Sequence, residues 1–293
     1  ATAVRTDLSG KGVNVSVALA GIGAESVLMG FCAGPSGEVL VQGLSAQGYA
    51  CDFVPLASGE TRSNITVLDE ATGVTTKLNE PGPQVYERDM QAFADRLEQM
   101  LAPGDICTLS GSLPPGAPVD SYARLIRIAH RKGALAALDT SGAALRAGCE
   151  AAPDWLKPND VEAASLIGIP VESLRDPSDL AEAVEAILRL GPQRVLLSLG
   201  PRGALYADGQ ANPSGHVDLW WARPPEIDEV SNVGAGDASL AGALYAWQQG
   251  ESPRDVVRWA VASGTAAAQE DGSSMATRAR IESVYEQVSV ISI

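Results

Sequence analysis

Asp237 stands directly behind Gly234, Ala235 and Gly236. It stands directly ahead of an apolar run in which Leu240, Ala243, Leu244 and Trp247 recur at helical spacing. Glycines at the mouth of a helix let backbone N–H groups turn toward one point, and those donors with the helix dipole form an anion hole. A carboxylate beside such a hole can take the proton of an attacking hydroxyl. Negative charge that grows during the reaction is stabilised at the amides. Base and hole on one turn suit phosphoryl transfer to an alcohol. An ordinary acidic residue after a glycine turn accounts for the same four residues more plainly. The stretch is not a dinucleotide fingerprint. Ser239 occupies the place of the third glycine in GxGxxG, and no strand runs directly into it.

Four other groups carry candidate chemistry. In "SGKGVNV", Lys11 lies between Gly10 and Gly12, with Asn14 opening a helix. Open amides, one ammonium and one carboxamide suit a sugar phosphate, and a solvated surface turn would look the same. Walker A spacing and its Ser/Thr are absent. Arg62, in "GETRSNI", offers a fork of donors for phosphate, or is a solvated edge-strand arginine. Asn159 and Glu162, three apart in "KPNDVEA", share a helix face and could hold Mg²⁺ through water. Asn159 as N-cap with Glu162 closing a capping box explains the pair equally well. Ser198, Gly200 and Gly203 surround a turn that either approaches a nucleotide or is simply tight. Only two histidines exist, so a His-rich metal site or Ser-His-Asp triad is poorly supplied. His130, in "IRIAHRKG", reads as a cation at a helix C-terminus.

The elements that must position these residues alternate. A helix over Val13–Leu19, a buried strand within "GIGAESVLMGFCAG" and a helix over Pro35–Gln47 come first. Residues 49–79 are short, β-rich and turn-joined, with a hairpin connection expected at Asp69–Gly73. From Pro83 onward, helices and near-continuous apolar strands alternate, and helices over 236–249, 253–269 and about 278–288 end the chain. This pattern predicts an α/β fold with a mainly parallel sheet covered on both faces, and a small β-sheet lid. The whole of 1–293 is expected to form one domain, with the lid at approximately 1–8 and 49–80. Ligands in such sheets bind at the carboxyl ends of the strands. There the polar loops "SGSLPPG", "DTSG", "KPND" and "SLGPRG" fall.

With 293 residues and a net charge of −15, the chain is large enough for an ample core and poorly suited to nucleic acid or an anionic membrane surface. Its four irregularly spaced cysteines are expected to be reduced and mostly buried. No apolar run approaches a membrane span and no secretory leader is read, so a cytoplasmic location is expected. The opening "ATAVRTDLSGKG" reads as the middle of an element, with preceding residues expected.

In this order, "GKGVNVSVALAGIG", "TRSNITV", "TTKLNEPGP", "LSGSLPPG", "DTSG", "KPND" with Glu162, and "VGAGDASLAGALYA" resemble the PfkB carbohydrate kinase family. Within it, they resemble the hexose-phosphate kinase subgroup of 1-phosphofructokinase and tagatose-6-phosphate kinase. The resemblance implies a three-layer ribokinase-like α/β/α sandwich, ATP and Mg²⁺ as cofactors, and a homodimer formed through the lid. It implies that Asp237 is the base and that Gly234, Ala235 and Gly236 supply the anion hole. Lys11, Asn14, Arg62 and Ser110 would hold the sugar phosphate, and Gly10 would approach its hydroxyls. Asn159 and Glu162 would organise Mg²⁺ and the ATP phosphates, with Ser198, Gly200 and Gly203 lining the nucleotide. The expected acceptor is fructose 1-phosphate, with tagatose 6-phosphate and fructose 6-phosphate as alternatives and a non-catalytic sugar-phosphate sensor as a different class. Two departures stand out. Ser9 occupies a position where the family usually has glycine, and the family's first strand, with its sugar-gripping aspartate, is not in the sequence.

Overall fold

Helix and strand alternate through the computed structural model, which describes residues 4–68, 72, 75–209 and 217–293. The first elements are helix α1 (Lys11–Gly21), strand β1 (Val27–Cys32), α2 (Gly34–Ala46), β2 (Ala50–Pro55), β3 (Asn64–Leu68) and β4 (Thr75–Asn79). Then come α3 (Glu87–Met100), β5 (Ile106–Ser110), α4 (Ser121–Arg131), β6 (Leu135–Asp139), α5 (Gly142–Cys149), β7 (Trp155–Leu156) and α6 (Asp160–Ile167). α7 (Pro177–Leu188), β8 (Arg194–Ser198), β9 (Ala204–Asp208) and β10 (Leu219–Arg223) follow. α8 (Ala235–Gln248), α9 (Pro253–Ala267), α10 (Arg278–Tyr285) and β11 (Ser289–Ser292) complete the order.

Seven strands form the main sheet in the order β11-β10-β9-β8-β7-β6-β5. β5 through β8 pair in parallel, and β9, β10 and β11 extend the sheet antiparallel. Alternate strand residues enter opposite cores, as a pleated strand requires. Leu138, Val195 and Leu197 pack with Leu125, Ile126, Leu145, Leu180 and Ile187 of α4, α5 and α7. Ala137 and Leu196 pack on the other side with Val15, Leu240, Leu244, Val257 and Ile281 of α1, α8, α9 and α10. The result is the expected α/β/α sandwich. Helix α5 and strands β10 and β11 were not legible as elements, being short and without a clear polar–apolar period. No described helix is long and apolar enough to cross a membrane.

The N-terminal third differs from expectation in two ways. Ala50–Pro55, placed with the lid from its β-rich composition, instead pairs in parallel with β1 through the α2 crossover. Propensity marks a strand but not its partner, so the lid range could not be separated from this βαβ unit by composition. Residues 4–8, also assigned to the lid, form no strand, and Leu8 packs onto Val13, Leu28 and Leu44. β1 itself is half-buried rather than buried. The antiparallel pair consists of β3 and β4, while 69–71 and 73 of the expected hairpin connection lie outside the described residues. One bond ties the approach to this pair to the body, and a second ties its two ends to each other. Glu60 Oε1 accepts from Ser36 N at 2.6 Å at the start of α2, and Glu80 Oε2 accepts from Ser63 N at 2.8 Å.

Candidate active site

The carboxyl ends of β5, β6 and β7 meet the N-termini of α1 and α8. Parallel register sets Ser110 beside Asp139, and Lys157 leaves β7 with its amide on Leu138 O at 3.0 Å. Asp139 is buried between two ammonium groups. Its Oδ1 accepts from Lys11 Nζ at 3.0 Å, and its Oδ2 lies 3.2 Å from Lys157 Nζ. The second contact is an ion pair without hydrogen-bond alignment, so Asp139 Oδ2 keeps a free acceptor site. Burial on its own would lower the Lys11 pKa. Asp139, through charge and hydrogen bond, then Asp237 and Glu162, outweigh it and hold Lys11 above the ordinary lysine value.

Asp237 enters this cluster from the first turn of α8. Gly234 caps the helix at φ 81, a left-handed conformation; a Cβ there would run into Met275 and stand 3.4 Å from Asn14 Nδ2. The left-handed backbone therefore favours glycine here, while the flexible end of Met275 could move aside for a Cβ. No hydrogen-bond acceptor is found among the described residues for the amides of Gly234, Gly236 and Asp237, while Ala235 N donates to Asn232 O at 3.4 Å. These are the open donors that a helix N-terminus leaves for an anion. Lys157 lies just outside them, 3.5 Å from where a Cβ on Gly236 would stand. Asp237 is 5% exposed, and its Oδ2 accepts from Asn14 Nδ2 at 2.8 Å. Burial pushes its carboxyl up to about 6, and Asp139 adds to that. The Asn14 hydrogen bond and the charges of Lys11 and Lys157 act in the opposite direction. The group is therefore ionised at neutral pH yet more basic than a surface aspartate, which suits proton abstraction.

Gly10 caps α1, and its carbonyl accepts from Asn14 N at 2.8 Å. Ser110 Oγ is buried without a partner, and a Cβ on the next residue, Gly111, would stand 3.8 Å from Lys11 Cβ. That hydroxyl is thus a donor held open beside the cluster. Asn159 and Glu162 form a complete capping box. Asn159 Oδ1 accepts from Glu162 N at 2.8 Å, and Glu162 Oε2 from Asn159 N at 2.9 Å. Glu162 lies near enough for its charge to help raise the Lys11 pKa. Ser198 bridges to Asn159, with its hydroxyl 3.3 Å from Pro158 O. Gly200 opens the turn at φ 56. Gly203, at φ 89, has a sufficient reason in packing, because a Cβ there would collide with the Ala222 carbonyl of β10. Arg62 is exposed at the root of β3 and runs along Gly82, and among the described residues no hydrogen bond or ion pair joins it to the cluster.

Asp139 and Lys157 are the residues that sequence reasoning missed as site members. The available signal was a charge at the end of an apolar strand, in "ALAALD" and "DWLK", where burial demands a partner. His130 serves structure: its Nε2 lies 3.0 Å from Asp154 Oδ2, which also accepts from Ala136 N at 2.8 Å. His216 lies outside the described residues. A shallow hollow between β2 and α3, lined by Asp52, Arg96 and Met100, shares no residue with the cluster.

The signature described as "pfkB family carbohydrate kinase" matches residues 1–279. The chain belongs to this family. It is a carbohydrate kinase, a phosphotransferase with an alcohol acceptor. A 1-phosphofructokinase of Xanthomonas campestris pv. campestris is 37% identical over 250 residues, covering 84% of this chain and 75% of the relative. A 1-phosphofructokinase of Rhodobacter capsulatus is 33% identical over 291 residues, covering 98% and 88%. The crystal structure of Escherichia coli phosphofructokinase-2 in complex with fructose-6-phosphate has a TM-score of 0.84 at 29% identity, covering 95% of this chain and 86% of that one.

Proposed function

We propose that the protein transfers the γ-phosphoryl group of ATP to a hydroxyl of fructose 1-phosphate, giving fructose 1,6-bisphosphate. The observation that carries this reading is Asp237. It is a buried carboxylate of raised pKa on the same turn as the open amides of Gly234, Gly236 and Asp237. Asp237 takes the proton from the acceptor hydroxyl as that oxygen attacks. The amides receive the negative charge of the transferring group, and no reorganisation is needed because the helix already fixes them. Lys11 and Lys157, held on either side of Asp139, bring two positive charges to the same place. Ser110 offers its free hydroxyl to the sugar phosphate, and Arg62 offers a guanidinium from the lid root.

The donors near α6 fit Mg²⁺ held through water. They are hard oxygens, and among the described residues no group of three or more His, Cys, Asp or Glu could hold an ion directly. Mg²⁺ commonly keeps several waters and leans on substrate phosphates in this way. Glu162, with one carboxylate oxygen outside its capping bond, and Asn159 would hold it. Bound Mg²⁺ and ATP supply the phosphoryl group and neutralise its charge. The lid pair carries an apolar face formed by Ile65, Val67 and Leu78, each more than half exposed, and we read this face as pairing with the same face of a second copy. Four free cysteines fit a cytoplasmic location.

A second reading, fructose 6-phosphate as acceptor, is favoured by the sugar bound to the Escherichia coli relative. A coupled ADP-release assay across fructose 1-phosphate, fructose 6-phosphate and tagatose 6-phosphate decides. The proposal expects the highest kcat/KM with fructose 1-phosphate. A preference for either other sugar would replace it, and no turnover with any would remove it.

A further inference from the structure

Asn14 is both a buried amide and the direct partner of the base. It is 6% exposed, its Nδ2 donates to Asp237 Oδ2 at 2.8 Å, and its Oδ1 accepts from Ser9 Oγ at 2.9 Å. Among the described residues, Ser9 is the one donor to that oxygen. A carboxamide has an acceptor end and a donor end of nearly the same shape, so what lies at one end decides what faces the other. With a hydroxyl proton fixing the oxygen, the NH₂ is turned onto Asp237. With the amide reversed, an oxygen would face a carboxylate inside a buried site, where the repulsion is poorly screened. Ser9 lies ahead of α1, outside any helix or strand, and the N-cap of that helix is Gly10.

We infer that Ser9 is a positioning residue for the catalytic base: it locks the Asn14 amide in the orientation that donates to Asp237. This rests on the reading of Asp237 as the base. The charged groups acting on Asp237 are Asp139 from the end of β6, Lys11 from α1 and Lys157 from after β7; α9, packed behind the first turn through Gly264, contributes none. Those three are untouched by a change at Ser9. Of the interactions that favour the ionised base, only the Asn14 hydrogen bond depends on it. Losing that bond moves the titration of Asp237 upward, because the ionised form loses a donor and the neutral form does not.

The experiment is a kcat/KM–pH profile from pH 5 to 9 for the wild type, Ser9→Ala, Ser9→Thr and Asp237→Asn. Ser9→Ala is expected to move the acid limb up by about half a pH unit or more, the scale of one hydrogen bond to a buried charge. Its loss at pH 5 then exceeds its loss at pH 8 by about threefold. Ser9→Thr, which keeps the hydroxyl, is expected to return the limb toward the wild-type position. A Ser9→Ala profile lowered evenly with the acid limb in place overturns the inference. So does a raised KM for the sugar phosphate as the sole change, which would make Ser9 a substrate ligand. Asp237→Asn separates the two levels. If it is inactive while Ser9→Ala leaves the limb unmoved, only the positioning role fails. If it stays active, the base reading falls and this inference falls with it.

Discussion

Replacing Asp237 by Asn is expected to remove activity and add stability. The side chain is 5% exposed, and its pKa rises from the ordinary 3.8 to about 6. Because the folded value lies above the unfolded one, the favourable contribution is fully present below pH 3.8 and is lost as pH rises through about 6. At about 1.4 kcal/mol per pH unit, keeping the group ionised in the fold costs roughly 3 kcal/mol above pH 7. Asparagine has nearly the same shape, carries no charge and can still accept from Asn14 Nδ2. The variant should therefore be more stable than the wild type at pH 8 by up to about 3 kcal/mol, with the gap closing toward pH 4. Urea unfolding at pH 8, 6 and 4.5 measures this, with kcat measured on the same preparations. Turnover should fall at least ~10²-fold. An equally stable or weaker variant at pH 8, or a gap that ignores pH, would refute the account of the buried carboxylate. Near-normal turnover would refute the base.

Glu162→Gln separates capping from metal binding, because glutamine preserves a capping box but not a carboxylate. Unfolding free energy should change by less than about 0.5 kcal/mol while the Mg²⁺ concentration for half-maximal rate rises several-fold; an unchanged Mg²⁺ requirement would leave Glu162 as a cap only. Ile65→Asp puts a charge in the exposed apolar face of the β3–β4 pair, where Ile65 stands opposite Leu78. Sedimentation equilibrium should show weaker self-association than the wild type, and an unaltered assembly would place the interface elsewhere.

Periodicity was a good guide wherever an element buries one face. It anticipated α1, α3, α4, α7 and α9 closely from their apolar positions, and α8, which is buried nearly all round, as an apolar run. It anticipated β6 and β8 because strands buried on both faces read as apolar runs, and β5, buried on one face and half-buried on the other, for the same apolar content. It failed for β2, whose composition matches a lid strand equally well, and for β11, a four-residue edge strand that is mostly exposed. Partner choice is a property of the packed molecule, and a short edge strand has no periodicity to read.

The sequence alone determined which residue types stand at which strand ends and helix starts, and so the glycine turn, the carboxylate behind it and the class of chemistry. Helical and strand periods act over neighbouring residues, which is why that much is written locally. Only the tertiary structure brought Asp139 and Lys157 to Lys11, and Asn14 to Asp237 across 223 positions of sequence separation. It also decided that Gly203 answers to the Ala222 carbonyl. Desolvation and charge pairing depend on distance in space, and that distance exists only once the sheet has set its strands side by side.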